Sequence, residues 1–455
     1  MDIFANRAWL STEWQPDVRV TIKDGAIFAV DVQATPAAGD IRVDTLLPAL
    51  ANLHSHSFQR AMAGMTEFRA AGQDSFWTWR RLMYQFLDHL TPEKIEAIAG
   101  LVFMEMLEAG YASVGEFHYV HHQVGGARYD DPAETTHRIM AAASQSGIGL
   151  THLPVLYTFG GAGQAELGDG QLRFGNSVGE FSAIVEAAKS AATTLFADTV
   201  VGIAPHSLRA TSPEELAQIT AAYGDGPIHI HIAEQPKEVA EIIGWLGARP
   251  VEWLLDNQNV TSNWCLIHAT HMTGPETAAL AKSGAVAGLC PITEANLGDG
   301  PFNGPGYLAA GGAFGLGSDS NVRISLTEEL RTLEYSQRLR DLQRNVMVKD
   351  TGSVGKMLYL GAASGGAQAL GRKAGEIKPG YLADLVAIDS QHPYLCSLTP
   401  DQIFDGLCFA ADDSVISDTW AAGRHMVQGG QHIKRDAIIA NYQAAIAQLK
   451  TSLTS

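Results

Sequence analysis

The hydrophobic pattern changes period along the chain. Near the start, Val18-Arg19-Val20-Thr21-Ile22 alternates apolar with polar, pauses at Lys23-Asp24-Gly25 and resumes as Ala26-Ile27-Phe28-Ala29-Val30. Alternation at period two marks half-buried strands, and Asp-Gly between two such runs predicts a β-hairpin. The same texture returns over 380–388 and 419–427. Between these ends, short unbroken apolar runs at 148–156, 200–204, 228–232, 265–268, 285–289 and 313–317 alternate with helical segments. The stretch 45–53 is apolar enough to form one more buried strand. Strand–helix alternation repeated this often predicts a parallel sheet covered by helices, hence an α/β fold. With roughly seven or eight repeats, a closed (β/α)8 TIM-type barrel over 47–374 is favoured. A doubly wound open sheet is the alternative, but no Gly-x-Gly-x-x-Gly follows an early strand and no Gly-Lys-Ser/Thr phosphate loop occurs. From about Lys434 the chain reads as a terminal helix, set at 433–455.

Composition narrows the class of function. The chain has 455 residues, 46% apolar and only 18% charged, as expected of a large buried globular enzyme rather than a disordered chain. Lysine plus arginine number 31 against 49 acids, a net charge of −18. That balance argues against nucleic acid and anionic membranes as partners, and an anionic substrate would need local arginines. Cys265, Cys290, Cys396 and Cys408 are widely separated, with no Cys-x-x-Cys, which suits reduced cytoplasmic thiols. The N-terminal residues lack the basic and apolar regions of a secretion signal, and no window is long enough for a membrane span. A cytoplasmic protein is expected.

The candidate chemistry sits at the strand ends. His54 and His56 close the first barrel strand, and dipeptide spacing turns both imidazoles the same way. Neutral imidazole nitrogens held in this manner suit a divalent metal. His206 follows the run at 200–203. His229 and His231 lie within 228–232, with Glu234 three residues beyond His231. His268 ends the strand at 265–268, and Asp319 follows 313–317. In a barrel, catalytic groups gather at the C-terminal ends of strands. Any one of these residues alone reads as packing. Five such strand ends converging on one mouth point to a metal-dependent site. His229 and His231 share a face, so spacing does not choose between them.

His-x-His after the first strand, the histidine of His231-Ile-Ala-Glu234, His268 and the aspartate of Ser318-Asp319-Ser320 resemble the amidohydrolase superfamily, over nearly the whole chain. That resemblance implies one divalent metal held by His54, His56, His231 and Asp319, zinc with ferrous iron as the alternative. No lysine stands at a middle strand end to bridge a second ion. The tail at 375–386 looks like the strand pair that joins the N-terminal strands in this superfamily. It implies a small β-sandwich-like domain built from 1–46 plus 375–432. A bound divalent ion brings the pKa of its water to about 7, so hydroxide is available at neutral pH. Asp319 would accept the water's proton, Glu234 would carry protons to a leaving amine, and His268 would polarise the attacked centre or orient the hydroxide.

A closer resemblance is to the bacterial N-formimino-L-glutamate deiminases of histidine degradation. It is carried by His54-Ser-His-Ser-Phe-Gln59-Arg, Phe76-Trp-Thr-Trp-Arg80-Arg, Glu116-Phe-His-Tyr119-Val-His-His, Ala204-Pro-His206-Ser-Leu-Arg209, His229-Ile-His-Ile-Ala-Glu-Gln235 and Thr293-Glu-Ala-Asn-Leu-Gly-Asp-Gly300. By that match, Gln59, Arg80, Tyr119, His206 and Arg209 contact the substrate, with Arg81 as the alternative to Arg80. Formiminoglutamate has two carboxylates, and guanidinium forks pair with carboxylates bidentately. The implied reaction is hydrolytic deimination to N-formyl-L-glutamate and ammonia. The implied partner is a small dicarboxylate, and relatives often form homodimers. Two other readings are an amidohydrolase-type deaminase of a nucleobase or other aminated heterocycle, and a non-catalytic assembly protein on a retained barrel. The arginine pair disfavours the first and the full ligand set the second.

Overall fold

The structure, a computed structural model, describes residues 1–67 and 76–454. Two sheets organise it. Parallel strands Leu50–Ser55, Tyr111–His118, Gly149–Leu156, Val200–Val201, Ile228–Ile232, Trp264–His268, Val286–Leu289 and Ala313–Leu316 curl into a barrel, with the short Ala204–Pro205 strand beside Gly149–Leu156. The first and last strands pair through Leu316 and Asn52, and a parallel bridge between Ile203 and Ile228 closes the ring. These strands are almost wholly buried because helices cover them outside and side chains fill them inside. The expected (β/α)8 barrel is what folds.

The second sheet is one continuous ladder of eight strands from both parts of the chain. Asp2–Leu10, Glu13–Lys23, Ala26–Asp31 and Ile41–Pro48 meet Leu385–Ile388, Ile416–Ala421, Arg424–Gln428 and Gln431–His432. The seam is antiparallel, with Leu385 opposite Pro48. Ile3, Val18, Val20, Leu46, Leu385 and Trp420 build a separate apolar cluster beneath it. At the predicted hairpin, Asp24 and Gly25 both adopt positive φ, the conformation a two-residue turn with matching twist requires. The terminal helix runs over Arg435–Thr454 and sets Ile438 against Leu101 and Met104.

One expectation is corrected. The run 45–53 is two strands in two sheets, ending one at Pro48 and beginning the other at Leu50. Pro48 has no N–H to continue a ladder, and its carbonyl accepts from the Tyr359 hydroxyl. The Ala49 N–H turns to the Asp384 carbonyl. Hydrophobicity is continuous across the junction because both sheets bury it, so composition alone hides the break.

A buried ion cluster clamps the β-sheet to the barrel. Asp198, before a barrel strand, meets Arg372 at 2.9 Å and Arg424 at 2.7 Å, and Arg372 also meets Asp384 at 3.1 Å. Burial alone would raise the Asp198 pKa, but the Arg424 hydrogen bond and both guanidinium charges prevail and hold it below the ordinary value. A carboxylate with a depressed folded-state pKa stabilises the fold above its unfolded pKa near 3.9 and loses that contribution as pH falls through the folded value. Asp198→Asn should therefore destabilise the protein at pH 7 by about 3 kcal/mol. The deficit should shrink as the pH is lowered below about 4, where the wild-type carboxylate protonates as well. Urea unfolding at both pH values measures it; equal midpoints at pH 7 would show that the clamp contributes nothing.

Candidate active site

Strand pairing builds the metal-ligand cluster. The Asp319 N–H donates to the His54 carbonyl and the His56 N–H to the Asp319 carbonyl, so the end of the last strand is laced to the end of the first. Asn52 and Ser318 exchange two more hydrogen bonds below. Gly317 permits this approach, since a Cβ there would sit 2.8 Å from His54 atoms. His268 and Asp319 both adopt positive φ, at 68° and 46°. Such strain in non-glycine residues persists only where surroundings enforce it, and it gathers at functional sites.

Three imidazoles and a carboxylate converge. The Nε2 atoms of His231 and His54 lie 3.1 Å apart, those of His56 and His231 3.3 Å. Asp319 Oδ1 is 3.4 Å from Nε2 of both His54 and His56. All four residues are buried, and their ligand atoms lie within 4.8 Å of one another. His56 Nδ1 donates to the Phe117 carbonyl and His231 Nδ1 to the His206 carbonyl. Those bonds put the ring proton on Nδ1 and leave an Nε2 lone pair facing inward. Burial presses the pKa of all three histidines down, His54 to about 3, so none is protonated at neutral pH. Burial would raise the Asp319 pKa, but the neighbouring imidazoles, His54 first and cationic His268 with it, outweigh this and hold it below the ordinary value. Inward lone pairs repel one another unless a cation lies between them. The donor set fits one divalent ion. His229 lies lower in the barrel, its Nε2 on the Ala369 carbonyl, away from this cluster.

Around the cluster lies a cavity. Its floor carries His56, His231, Glu234, His268 and Asp319, and its walls carry Gln59, Arg80, Tyr119, His206 and Arg209. His268 Nε2 lies 3.8 Å from both Glu234 Oε1 and Asp319 Oδ2. Burial alone would lower the His268 pKa, but the carboxylates of Glu234, Glu294 and Asp319 reverse this and raise it to about 10. Burial raises Glu234 against the opposing pull of His268 and Arg209. Arg80 donates to the Tyr157 hydroxyl at 2.9 Å. Arg209 lies 3.8 Å from Glu234 Oε2, and its buried Nε has no hydrogen-bond partner among the described residues. Gln59 donates to the Tyr119 hydroxyl at 2.9 Å, leaving its own buried oxygen without a partner there. A basic, donor-rich wall with unspent polar atoms suits an anionic ligand. The Arg81 side chain lies outside the described residues.

Several participants escape a reading of the sequence. Glu238, fully buried, accepts from the N–H groups of Ala233 and Glu234 and fixes the turn that presents Glu234. Tyr84, Tyr157, Phe174, Trp79, Met83 and Leu297 complete the walls. Glu238 stands four residues after Glu234, a local signal; the aromatic walls come from distant segments and give none.

Comparison with known proteins agrees with this geometry. Residues 45–425 match the model of the amidohydrolase family, and residues 2–44 match that of the N-terminal domain of formimidoylglutamate deiminase HutF. The chain is 47% identical to a formimidoylglutamate deiminase of Pseudomonas aeruginosa, over 94% of this chain and 95% of that protein. It is 27% identical to a 5-methylthioadenosine/S-adenosylhomocysteine deaminase of Natronomonas pharaonis, over 94% of this chain and 90% of that one. The crystal structure of an amidohydrolase from Brucella melitensis superposes with a TM-score of 0.95 at 46% identity, covering 98% of this chain and 99% of the other.

Proposed function

Since the chain belongs to the amidohydrolase family, we propose that its cavity hydrolyses N-formimino-L-glutamate to N-formyl-L-glutamate and ammonia, a step of histidine degradation. The observation that carries this reading is the pairing of a four-residue cluster able to hold a metal with two arginines lining the same cavity. His54, His56, His231 and Asp319 would hold one divalent ion, zinc by its nitrogen-rich donor set with ferrous iron as the alternative. When bound, that ion would acidify a water toward neutrality.

The chain's own residues do the remainder. Asp319, anionic in the folded protein, takes the proton of the attacking water as the water's oxygen bonds to the formimino carbon. His268, cationic among three carboxylates, steadies the developing charge at that carbon's substituents. Glu234, with its proton affinity raised by burial, takes the proton of the new hydroxyl and passes it to the nitrogen, which also receives the proton held by Asp319; the C–N bond breaks as the formyl carbonyl forms, and ammonia leaves. Arg80 and Arg209 grip the two carboxylates, and Gln59, Tyr119 and His206 supply further polar contacts. These groups offset the repulsion a dianion meets from a protein of net charge −18.

The test is ammonia release from formiminoglutamate by metal-replete protein. Turnover is expected. It should vanish after chelation and return on adding one equivalent of zinc or ferrous ion per chain. Absence of ammonia at millimolar substrate rejects the reading. A second reading, deamination of an adenine-type substrate, is favoured by the 27% relative and keeps the same metal and acid–base groups. The four free thiols, three of them buried, support a cytoplasmic location. No helix among the described residues is long and apolar enough to cross a membrane. A homodimer is the expected assembly, measurable by light scattering.

A further inference from the structure

The segment Thr293–Gly300 carries part of the family resemblance, yet it enters the chemistry above only through the charge of Glu294 beside His268. Its short helix, Pro291–Leu297, stands directly behind the catalytic groups. Thr293 Oγ1 donates to the Ser318 carbonyl and meets the Ser320 hydroxyl at 2.9 Å, so it braces both neighbours of Asp319. Glu294 faces the other way. Its Oε1 lies 3.3 Å from His268 Nδ1 and accepts from the Cys290 N–H at 2.9 Å. The carboxylate and the imidazole are both buried.

We infer that Glu294 is the positioning residue of His268, a buried anion that fixes the imidazole's Nδ1 proton and aims Nε2 at the substrate; this rests on the deiminase reading. The Cys290 N–H can only donate, so the atom beside it must be an acceptor, and the same oxygen faces His268 Nδ1. His268 Nδ1 is thereby held as a donor. That leaves Nε2 directed into the cavity between Glu234 and Asp319. His268 sits on a backbone with φ of 68°, and the next residue has φ of 47°, conformations that persist only where surrounding contacts enforce them. A side-chain anchor fulfils that need, as carboxylates do for histidines in other sites.

Glu294→Gln separates charge from shape. The Cys290 N–H should hold the amide oxygen where Oε1 was, so both hydrogen bonds survive and only the negative charge is lost. With formiminoglutamate as substrate, kcat should fall roughly 10- to 100-fold, because a neutral amide oxygen holds the Nδ1 proton less strongly than the carboxylate does. KM should stay within about twofold, with unchanged metal content and thermal midpoint. In a His268→Asn background the same substitution should cost less than about twofold, because the group it acts through is gone. A wild-type kcat in Glu294→Gln would overturn the inference. So would an undiminished loss in the His268→Asn background, or a loss accompanied by a lower thermal midpoint or lost metal, which would mark a merely structural role. An inactive wild-type protein would instead overturn the deiminase reading.

Discussion

Asp319→Asn is expected to abolish turnover while leaving a folded barrel. On the proposed reading the carboxylate has two tasks. One oxygen lies 3.4 Å from Nε2 of His54 and of His56 and completes the metal-ligand cluster; the other faces His268 at 3.8 Å and is placed to take a proton from water. An amide cannot accept that proton and is a poor ligand for a divalent ion. Loss of a positioned base costs on the order of 10^2 to 10^4 in rate, and weakened metal binding adds several kcal/mol. The combined fall in kcat/KM should exceed about 10^4-fold. Folding should survive, because the strands are laced here by main-chain bonds from the Asp319 N–H and to its carbonyl. The measurement is ammonia release beside metal analysis and a thermal melt. A variant within tenfold of wild type would remove Asp319 from the chemistry.

How much of this was legible in the sequence differs by element. The hairpin at Asp24-Gly25 and the buried strands were readable because each follows from local alternation or an unbroken apolar run. The convergence of His54, His56, His231 and Asp319 was readable for a different reason: a closed barrel sends all its strand ends to one mouth, so topology turns distant positions into neighbours. The break at Pro48 was not readable, since both sides of it are buried. Spacing alone did not divide His229 from His231; the family resemblance did. Both face one way along the strand, and only depth in the barrel puts His229 on the Ala369 carbonyl instead of near the metal ligands. Glu238 and Glu294 look like ordinary first-turn acids of short helices. The spacing of Glu238 from Glu234 is local, but the task of Glu294 depends on the His268 ring opposite, and no local pattern records that.

Arg209→Ala should separate the dicarboxylate reading from the adenine-type one. In the folded protein this guanidinium is buried on the cavity wall, 3.8 Å from Glu234 and 4.0 Å from Glu238, with Nε lacking a hydrogen-bond partner among the described residues. A buried cation with an unspent donor is costly to maintain unless a ligand uses it. For formiminoglutamate, truncation leaves a desolvated carboxylate without its partner, a loss of about 3 to 5 kcal/mol, or roughly 10^2- to 10^4-fold in kcat/KM. Most of the loss should fall on KM, because the carboxylate is remote from the carbon under attack and is held equally before and during reaction. Arg209→Lys should recover only a small part, since an ammonium offers no planar fork. An aromatic base has no carboxylate to lose, so its KM would change little in either variant. Parallel assays of wild type, Arg209→Ala and Arg209→Lys on formiminoglutamate and on an adenine nucleoside therefore decide between them. If the alanine variant keeps full activity on formiminoglutamate, the arginine wall does not read a dicarboxylate. The substrate assignment would then fail even with the metal-ligand cluster intact.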